Sequence, residues 1–245
     1  MSNGQVTLTG MVLSTMPVGD YDKRIVLLTR ECGKVSGFAR GARKPGNQMM
    51  AASNPFVFGE FEAYAGRDAY SFRKANIKNY FSQMTADFDR MCHASYFAEV
   101  ADYYSVENAD ESERLILLYQ TLRALESGRF SYRLIRSVYE IKTMALNGEY
   151  PDFFSCMGCG AKTDLKYFSM SKKGLVCTKC HERLGGEDID ESTVYAFQYI
   201  ITTPAAKLYN FKLSEKVESE LYNLLRRYLN AYREHHFKSL DFLEE

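Results

Sequence analysis

Four cysteines are the residues whose types and spacing most directly predict chemistry in this sequence. Cys156 and Cys159 form one Cys-x-x-Cys pair, and Cys177 and Cys180 form a second pair after a spacer of 17 residues. Two such pairs at this separation are typical of a tetrahedral zinc site with four thiolate ligands. The protein would then occupy every position around the ion, so the site is expected to be structural. We therefore predict one Zn²⁺ held by these four cysteines.

A disulfide and a redox-active Cys-x-x-Cys pair are the alternative interpretations. A disulfide requires an oxidising compartment, and the N-terminus lacks the basic and apolar regions of a signal peptide. A redox pair requires a strand–turn–helix setting, whereas the residues before Cys156 (Tyr-Pro-Asp-Phe-Phe-Ser) indicate a loop. His181, next to Cys180, is either a substitute ligand or an exposed neighbour.

Basic residues form the second group of candidates. Residues 1–81 contain 11 Lys and Arg against 6 Asp and Glu, a net charge of +5, whereas the rest of the chain contains 20 and 25, a net charge of −5. This asymmetry in a neutral chain favours a basic surface on one module. The candidate phosphate-binding residues are Lys34, Arg40, Arg43, Lys44, Arg73 and Lys74, with Lys78 as a possible extension.

One predicted strand, from residue 34 to residue 40, carries an aromatic ring between two of these cations. Alternate side chains of a strand share a face, so Phe38 is expected outward if Val35 and Ala39 point to the core. A ring flanked by cations suits a single-strand groove, in which bases stack and phosphates are neutralised. The alternative is a solvated charged face, with Phe38 turned inward by a bulge at Gly37.

Three arginines at the start of a predicted helix form a further candidate site. Arg129, Arg133 and Arg136 are spaced four and then three residues apart, which places them on one side of a helix. They are predicted either to hold phosphates or the acidic tail of a partner, or simply to form an exposed helix face. No catalytic motif accompanies them: the phosphate-loop, His-Glu-x-x-His and Gly-x-Ser-x-Gly patterns are absent, so we predict that the protein is not an enzyme.

The elements that position these residues change type near residue 81. Between Gln5 and about Asn79 the pattern predicts five strands, which fit a small closed barrel, with a polar loop over residues 41–54. Beyond them the apolar period becomes 3.6, and five helices are expected. We predict an α+β protein with a barrel at residues 1–81 and a helical domain at residues 82–245. The cysteine lobe is inserted in that domain at about residues 151–186.

The predicted helices have recognisable ends. They span about Ala86–Tyr104, a segment from Asp110 to Gly128, a segment from Ser131 to Gly148, Ser192–Thr202, and a last helix that begins after Ser214. No apolar run approaches the 18 or so residues that span a bilayer, and we predict a cytoplasmic protein. The isolated cysteines Cys32 and Cys92 are expected to be small buried apolar residues.

Over essentially its whole length the chain resembles the RecO family of bacterial DNA repair and recombination mediators. The resemblance rests on the segment Gly33–Lys44 (Gly-Lys-Val-Ser-Gly-Phe-Ala-Arg-Gly-Ala-Arg-Lys), on the four cysteines and on Phe237–Leu243. It implies an N-terminal five-stranded OB-fold barrel and a helical domain that often carries a zinc lobe. Some members have lost the cysteines, whereas this sequence keeps all four.

The resemblance also implies a function. RecO proteins bind single- and double-stranded DNA without sequence preference, anneal strands and, with RecR, load RecA on DNA coated by single-stranded-DNA-binding protein (SSB). Lys34, Arg40, Arg43 and Lys44 match positions expected to contact phosphates, and the protein would be nucleoid-associated. The SSB tail docks on the helical domain, for which the three arginines are the candidate. The alternatives are a zinc-containing adaptor, an RNA-binding protein without annealing activity, and a nuclease.

Overall fold

Five strands of the N-terminal region close into a barrel in the computed structural model, which describes residues 4–243. The strands are β1 (Gln5–Val18), β2 (Asp22–Thr29), β3 (Gly33–Ala39), β4 (Phe58–Ala65) and β5 (Tyr70–Asn79). Their order around the barrel is β1-β2-β3-β5-β4, and β4 pairs back with β1. All pairs are antiparallel except β3 with β5, which is parallel. The predicted barrel is therefore confirmed, and it has the strand order of an OB-fold.

Alternating apolar residues fill the barrel, as the period-two pattern predicts. The interior contains Leu8, Val12, Ile25, Leu27, Val35, Ala39, Ala42, Met49, Ala52, Val57, Phe61, Ala63 and Phe72. Closure at the parallel pair depends on Gly37, because a Cβ atom there would lie 2.3 Å from the Tyr70 carbonyl oxygen. A side chain at this position would push β3 away from β5.

The predicted polar loop after β3 contains a short helix, α1 (Met49–Ala52). Met49 and Ala52 are buried and belong to the barrel core. The loop therefore contributes to the interior, although its flanking residues are polar.

Two helices and the C-terminal segment complete the first compact unit, which comprises residues 4–129 and 237–243. The helices are α2 (Phe88–Tyr104) and α3 (Ser112–Ser127). The Tyr119 ring of α3 packs against Phe58 and Phe81, with centroids 4.7 and 5.4 Å away. Phe88 and Tyr103, near the two ends of α2, are exposed. The buried stripe runs through Tyr96, Phe97, Val100 and Ala101.

The second compact unit comprises residues 130–236. Its helices are α4 (Tyr132–Asn147), α5 (Thr178–Leu184), α6 (Glu191–Thr202) and α7 (Glu215–Tyr232), and its small sheet contains β6 (Leu165–Ser169), β7 (Gly174–Cys177) and β8 (Glu187–Asp188). Ser131 and Ser214 cap α4 and α7, as predicted, by accepting hydrogen bonds from Leu134 N–H and Val217 N–H.

The compact units divide the chain at residue 129, whereas the predicted boundary at residues 81/82 follows the change from strand to helix. That boundary stays a prediction. Among residues 4–243, no helix combines the length and the apolar character that crossing a membrane requires.

The cysteine lobe is anchored to the helices of its own unit. The Phe153 ring stacks on Phe197 of α6 with centroids 4.1 Å apart, and the Phe153 carbonyl accepts a hydrogen bond of 2.6 Å from Gln198. At the other side, Arg227 of α7 binds the Glu187 carboxylate through two hydrogen bonds of 2.6 and 2.8 Å. The lobe is thus fixed by an apolar stack and an ion pair.

Candidate metal centre and nucleic-acid groove

The four cysteine sulfurs converge on one point. All Sγ atoms of Cys156, Cys159, Cys177 and Cys180 lie within 4.8 Å of one another, and the Cys159–Cys177 pair is 3.7 Å apart. Tetrahedral zinc with Zn–S bonds of about 2.3 Å requires sulfurs about 3.8 Å apart. The sulfurs thus have the number, chemistry and spacing to hold a metal ion.

Two Cys-x-x-Cys segments, here called knuckles, bring these sulfurs together, and they differ in local structure. Cys156 and Cys159 lie in a loop, as predicted, whereas Cys177 ends β7 and Cys180 lies in α5. Gly158 is required in the first knuckle, because a Cβ atom there would come within 2.9 Å of the Cys180 sulfur. The close approach of the two knuckles therefore depends on a residue without a side chain.

Backbone amides stabilise negative charge at this site. The N–H groups of Cys177 and Gly158 donate to the Cys156 sulfur at 3.3 and 3.4 Å. Burial raises the pKa of the Cys156 thiol, but these hydrogen bonds outweigh it and bring the pKa to about 6. Burial and the neighbouring thiols raise the pKa of Cys180 to about 12. Four thiols so close compete for ionisation, and a bound divalent cation would stabilise all four thiolates.

A disulfide and a ligand role for His181 do not fit this geometry. All four are free thiols, and the separation of 3.7 Å is far longer than a disulfide bond. The His181 ring stacks on Tyr167 at 3.7 Å, and its Nε2 atom lies 3.1 Å from the Gly186 carbonyl oxygen. The histidine is therefore engaged away from the sulfurs.

Three of the predicted cations line one groove on the outside of the barrel. Arg40, at the end of β3, and Arg73 and Lys74, on β5, are exposed around a cavity of about 710 Å³. Among residues 4–243 none of the three forms an ion pair with a carboxylate. Glu62 is the acidic residue in the lining of this groove, opposite Lys74 in the strand register. The groove keeps an excess of positive charge that is open to a ligand.

The other predicted cations are engaged within their own unit. The Lys34 ammonium group donates to the Asp102 carbonyl at 2.6 Å and lies 3.2 Å from the Asp102 carboxylate. Lys78 binds Glu60 at 2.5 Å. These two side chains are thus neutralised, and the predicted charged strip along β3 is interrupted at Lys34.

Arg43 and Lys44 lie in the loop after β3 and are held less tightly. Arg43 donates to the Gly19 carbonyl at 3.1 Å, and the Lys44 ammonium group lies 4.8 Å from the centre of the Tyr21 ring. Burial and the positive charge of Arg43 lower the pKa of Lys23. Arg43 and Lys44 are both exposed and keep donors available for a phosphate. Their contact with DNA stays a prediction.

Phe38 points outward, as the alternation predicts. Val35 and Ala39 are buried, whereas 37% of Phe38 is exposed. The predicted strand runs on without a bulge at Gly37, which pairs with Ile25 in an unbroken register. The alternative in which the ring turns inward is excluded.

Tyr64 is a groove residue that the sequence reasoning missed. It lies near the end of β4, lines the groove and is 43% exposed. The same alternation would have pointed to it, because Phe61 and Ala63 face the core and leave Glu62 and Tyr64 outside. Its proximity to the cations required the strand pairing, which the sequence alone did not supply.

The three arginines do not form one exposed helix face. Ser131 caps α4, so Arg129 precedes the helix, and only Arg133 and Arg136 lie within it. Because α4 is buried on most of its sides, Arg136 is only 2% exposed. Its guanidinium group donates to the Glu140 carboxylate at 3.1 Å. Arg133 is exposed, and its guanidinium group lies 5.5 Å from the centre of the Tyr222 ring. The prediction that places Arg136 on the surface is wrong.

Comparisons with known proteins cover both parts of the chain. The family model described as Recombination protein O N terminal matches residues 1–81, and the model described as Recombination protein O C terminal matches residues 85–241. The chain belongs to the RecO family. The resemblance seen in the barrel segment and the cysteines is thereby confirmed, and the chain is a RecO family DNA repair protein.

Curated relatives of this RecO family member match it almost from end to end. The DNA repair protein RecO of Acetivibrio thermocellus is 29% identical over 238 residues, which cover 96% of this chain and 95% of that protein. The protein of the same name from Thermoanaerobacter sp. is 30% identical and covers 95% and 94%. That of Desulforamulus reducens is 30% identical and covers 97% and 93%.

Proposed function

We propose that this RecO family member binds the sugar-phosphate backbone of DNA without sequence preference, through the groove formed by Arg40, Arg73 and Lys74. The observation that carries the proposal is that these cations lie together and have no ion-pair partner among residues 4–243, while Lys34 and Lys78 on the same barrel are neutralised. Binding by such cations releases the counterions condensed on DNA, which supplies affinity for any sequence. Backbone contacts also leave the base edges available for pairing, as strand annealing requires.

The wider role proposed here is that of a recombination mediator. The protein would bind single- and double-stranded DNA, anneal complementary strands and, with RecR, help to load RecA on SSB-coated DNA, without a catalytic step of its own. Support comes from the two family models and from relatives that carry the name DNA repair protein RecO over the same length. Arg129 and Arg133 are exposed and stay the candidates for a contact with the SSB tail.

For the four cysteines we propose one structural Zn²⁺. Zinc favours four thiolates in a tetrahedron, and four protein ligands leave no position for a substrate. The ion would hold the loop of Cys156 and Cys159 against the strand–helix junction of Cys177 and Cys180. No step in DNA binding is assigned to it.

A charge reversal in the groove tests the DNA-binding proposal. Arg40→Glu combined with Arg73→Glu should abolish most binding to a labelled oligonucleotide in fluorescence anisotropy, because phosphates are then repelled. For the unmodified chain, three phosphate contacts predict a slope of about −2 for log affinity against log salt concentration on single strands.

The matched control reverses two exposed lysines of the cysteine lobe. Lys162→Glu combined with Lys172→Glu makes the same change in net charge in the other compact unit and should change affinity little. Equal loss in both double variants would show that only net charge matters. Unchanged affinity in a folded groove variant would refute the groove as the binding site, and binding of RecR or SSB without any DNA binding would favour an adaptor.

A further inference from the structure

Two exposed aromatic rings are brought into one row by the strand register of the barrel. Phe38 of β3 lies opposite Ser71 of β5, and Ser71 lies opposite Tyr64 of β4. Residues opposite each other in a sheet project to the same face. Neighbouring strands are about 4.8 Å apart, so the two ring-bearing positions are separated by about 10 Å across the small side chain of Ser71. Arg24 of β2 continues the row on the far side of Phe38 and is also exposed.

Neither Phe38 nor Tyr64 belongs to the barrel core in the part of the chain that the structure describes. The core beside them is filled by Ala39, Ala63 and Phe72, which point inward. Among residues 4–243, neither Phe38 nor Tyr64 has an aromatic or cationic partner, and both remain more than a third exposed. Exposed apolar surface that is rimmed by polar and charged residues is typical of an interaction site.

A polar atom without a partner lies between the rings. The Ser71 hydroxyl is buried and has no hydrogen-bond partner among the described residues. An unpaired buried hydroxyl is unfavourable, and a ligand oxygen at this point would satisfy it after a rotation of the side chain. The floor of the row therefore favours a ligand that is polar as well as flat.

Cations follow the row at the next outward position along two of its strands. Arg40 follows the end of β3, two residues after Phe38, and Arg73 lies on β5 two residues after Ser71; both are exposed. Both line the groove together with Tyr64. A ligand in the groove thus meets the Tyr64 ring and the two guanidinium groups, and Phe38 lies in the same strand row beside the groove lining. Nucleotides present these two features, a base with a π face and a phosphate.

We propose that this row is a seat for unpaired nucleotides, in which Tyr64 and Phe38 stack on bases while Arg40 and Arg73 hold the phosphates. The seat rests on the proposed DNA-binding function and adds to it the choice of strand type. The bases of a duplex already stack on each other and cannot offer their faces, so a duplex would use the cations alone. Tyr64 therefore raises the affinity for single strands and leaves the affinity for duplex unchanged.

Substitutions of Tyr64 test the seat without altering charge. Tyr64→Ala should lower the affinity for a labelled oligo-dT about tenfold, as expected for the loss of one stacked base. The affinity for a duplex of equal length should change by less than about twofold, because most substitutions of exposed residues have effects of only this size. Tyr64→Phe keeps the ring and should restore single-strand binding. Tyr80→Ala, at another exposed tyrosine of the same unit, is the control and should have no effect.

A spectroscopic readout is available because the chain contains no tryptophan. Tyr64→Trp introduces a single indole, whose fluorescence should be quenched by oligo-dT through stacking and should change little with duplex. Equal quenching by both DNA forms, or none by either while both bind, would overturn the seat.

The two proposals fail in different ways. If Arg40→Glu with Arg73→Glu loses binding but Tyr64→Ala binds oligo-dT like the unmodified chain, the seat is wrong and the DNA-binding groove stands. If Tyr64→Ala loses single-strand and duplex binding equally, the ring supports the cations and does not stack on bases. If the charge reversal leaves all binding intact, the proposed function itself is wrong.

Discussion

Charged side chains are exposed in the groove of the barrel and buried in ion pairs in the second compact unit. In the barrel groove, Arg40 and Arg73 are exposed and have no carboxylate partner among residues 4–243. In the second unit, Arg136 and Arg226 both bind the Glu140 carboxylate, which is 4% exposed. A buried ion is tolerated only when it is paired, whereas an exposed cation can exchange its counterions for phosphate. The comparison separates charges that maintain a fold from charges that are available to a ligand.

Exposed ion pairs of the second unit fall between these extremes. Arg227 and Glu187 join α7 to the cysteine lobe and remain about half exposed. Such pairs contribute little, because water and salt screen them. The position of a charge, more than its presence, therefore decides what it does.

Removal of the metal should produce the largest effect and should be confined to the second unit. We expect elemental analysis to find one zinc per chain, and Cys156→Ser with Cys177→Ser to lose it. The loss should be severe, since zinc-finger peptides bind the ion with an apparent free energy on the order of 10 kcal/mol. Chemical denaturation followed by circular dichroism measures this loss.

Anisotropy on the same zinc-free protein sharpens the comparison. Oligonucleotide binding through the barrel groove should persist, because the groove and the four cysteines belong to different compact units. A chain that is equally stable with and without metal would contradict the structural role, and loss of DNA binding in a chain that remains folded would contradict the separation.

Breaking the buried ion network should have the next largest effect. Glu140→Ala leaves two guanidinium groups without this carboxylate and should lower the free energy of unfolding by about 3–5 kcal/mol, as is typical when one partner of a buried pair is removed. Arg227→Ala, at the exposed pair, should cost about 1 kcal/mol or less. Urea denaturation of both variants makes the comparison, and equal losses would show that burial does not distinguish the two pairs.

The smallest effect should come from an exposed pair that titrates. The Asp190 carboxylate binds Lys216 at 2.7 Å and accepts a hydrogen bond from Ser192 N–H, and these contacts lower its pKa to about 2 from the usual 3.8. A carboxyl group whose pKa is lowered by folding stabilises the fold above its unfolded pKa, and this contribution is lost as the pH falls through the folded pKa.

Asp190→Asn should therefore reduce stability at pH 5–7 slightly, and the difference from the unmodified chain should shrink below a pH of about 3.8 and vanish once the pH is below about 2. Lys216→Ala should reproduce most of this pH dependence. Thermal unfolding across the pH series measures it, and a difference that does not change with pH would show that Asp190 acts only as an uncharged helix cap.

Local patterns in the sequence were enough to predict much of the fold. The alternation in β3 placed Val35 inside and Phe38 outside, and Ser131 and Ser214 marked the starts of two helices. The spacing of the cysteines predicted that four sulfurs would converge. These features depend on residues close in sequence or on a motif with one geometric solution.

What the sequence did not predict depends on contacts between distant parts of the chain. The contact of Lys34 with phosphate stays a prediction, but its ion pair with Asp102, which lies 68 residues further along, follows from no local pattern. Arg136 was assigned to an exposed row because helical spacing gives the relative direction of side chains and not which side is buried. Tyr64 was missed because only the pairing of β4 with β5 brings it to the cations.

The parallel junction of β3 and β5 has a consequence for the opening of the barrel. It pairs only residues 37–39 with 70–72, the shortest junction among the described barrel strands, and joins positions 33 apart in sequence. Because so few residues are paired across it, this junction is expected to open more readily than the other strand pairs of the barrel. A DNA strand that contacts Phe38, Ser71 and Tyr64 would hold β3 against β5 and so keep this junction closed. Binding of the strand and fraying of the barrel would then be linked equilibria, and each would oppose the other.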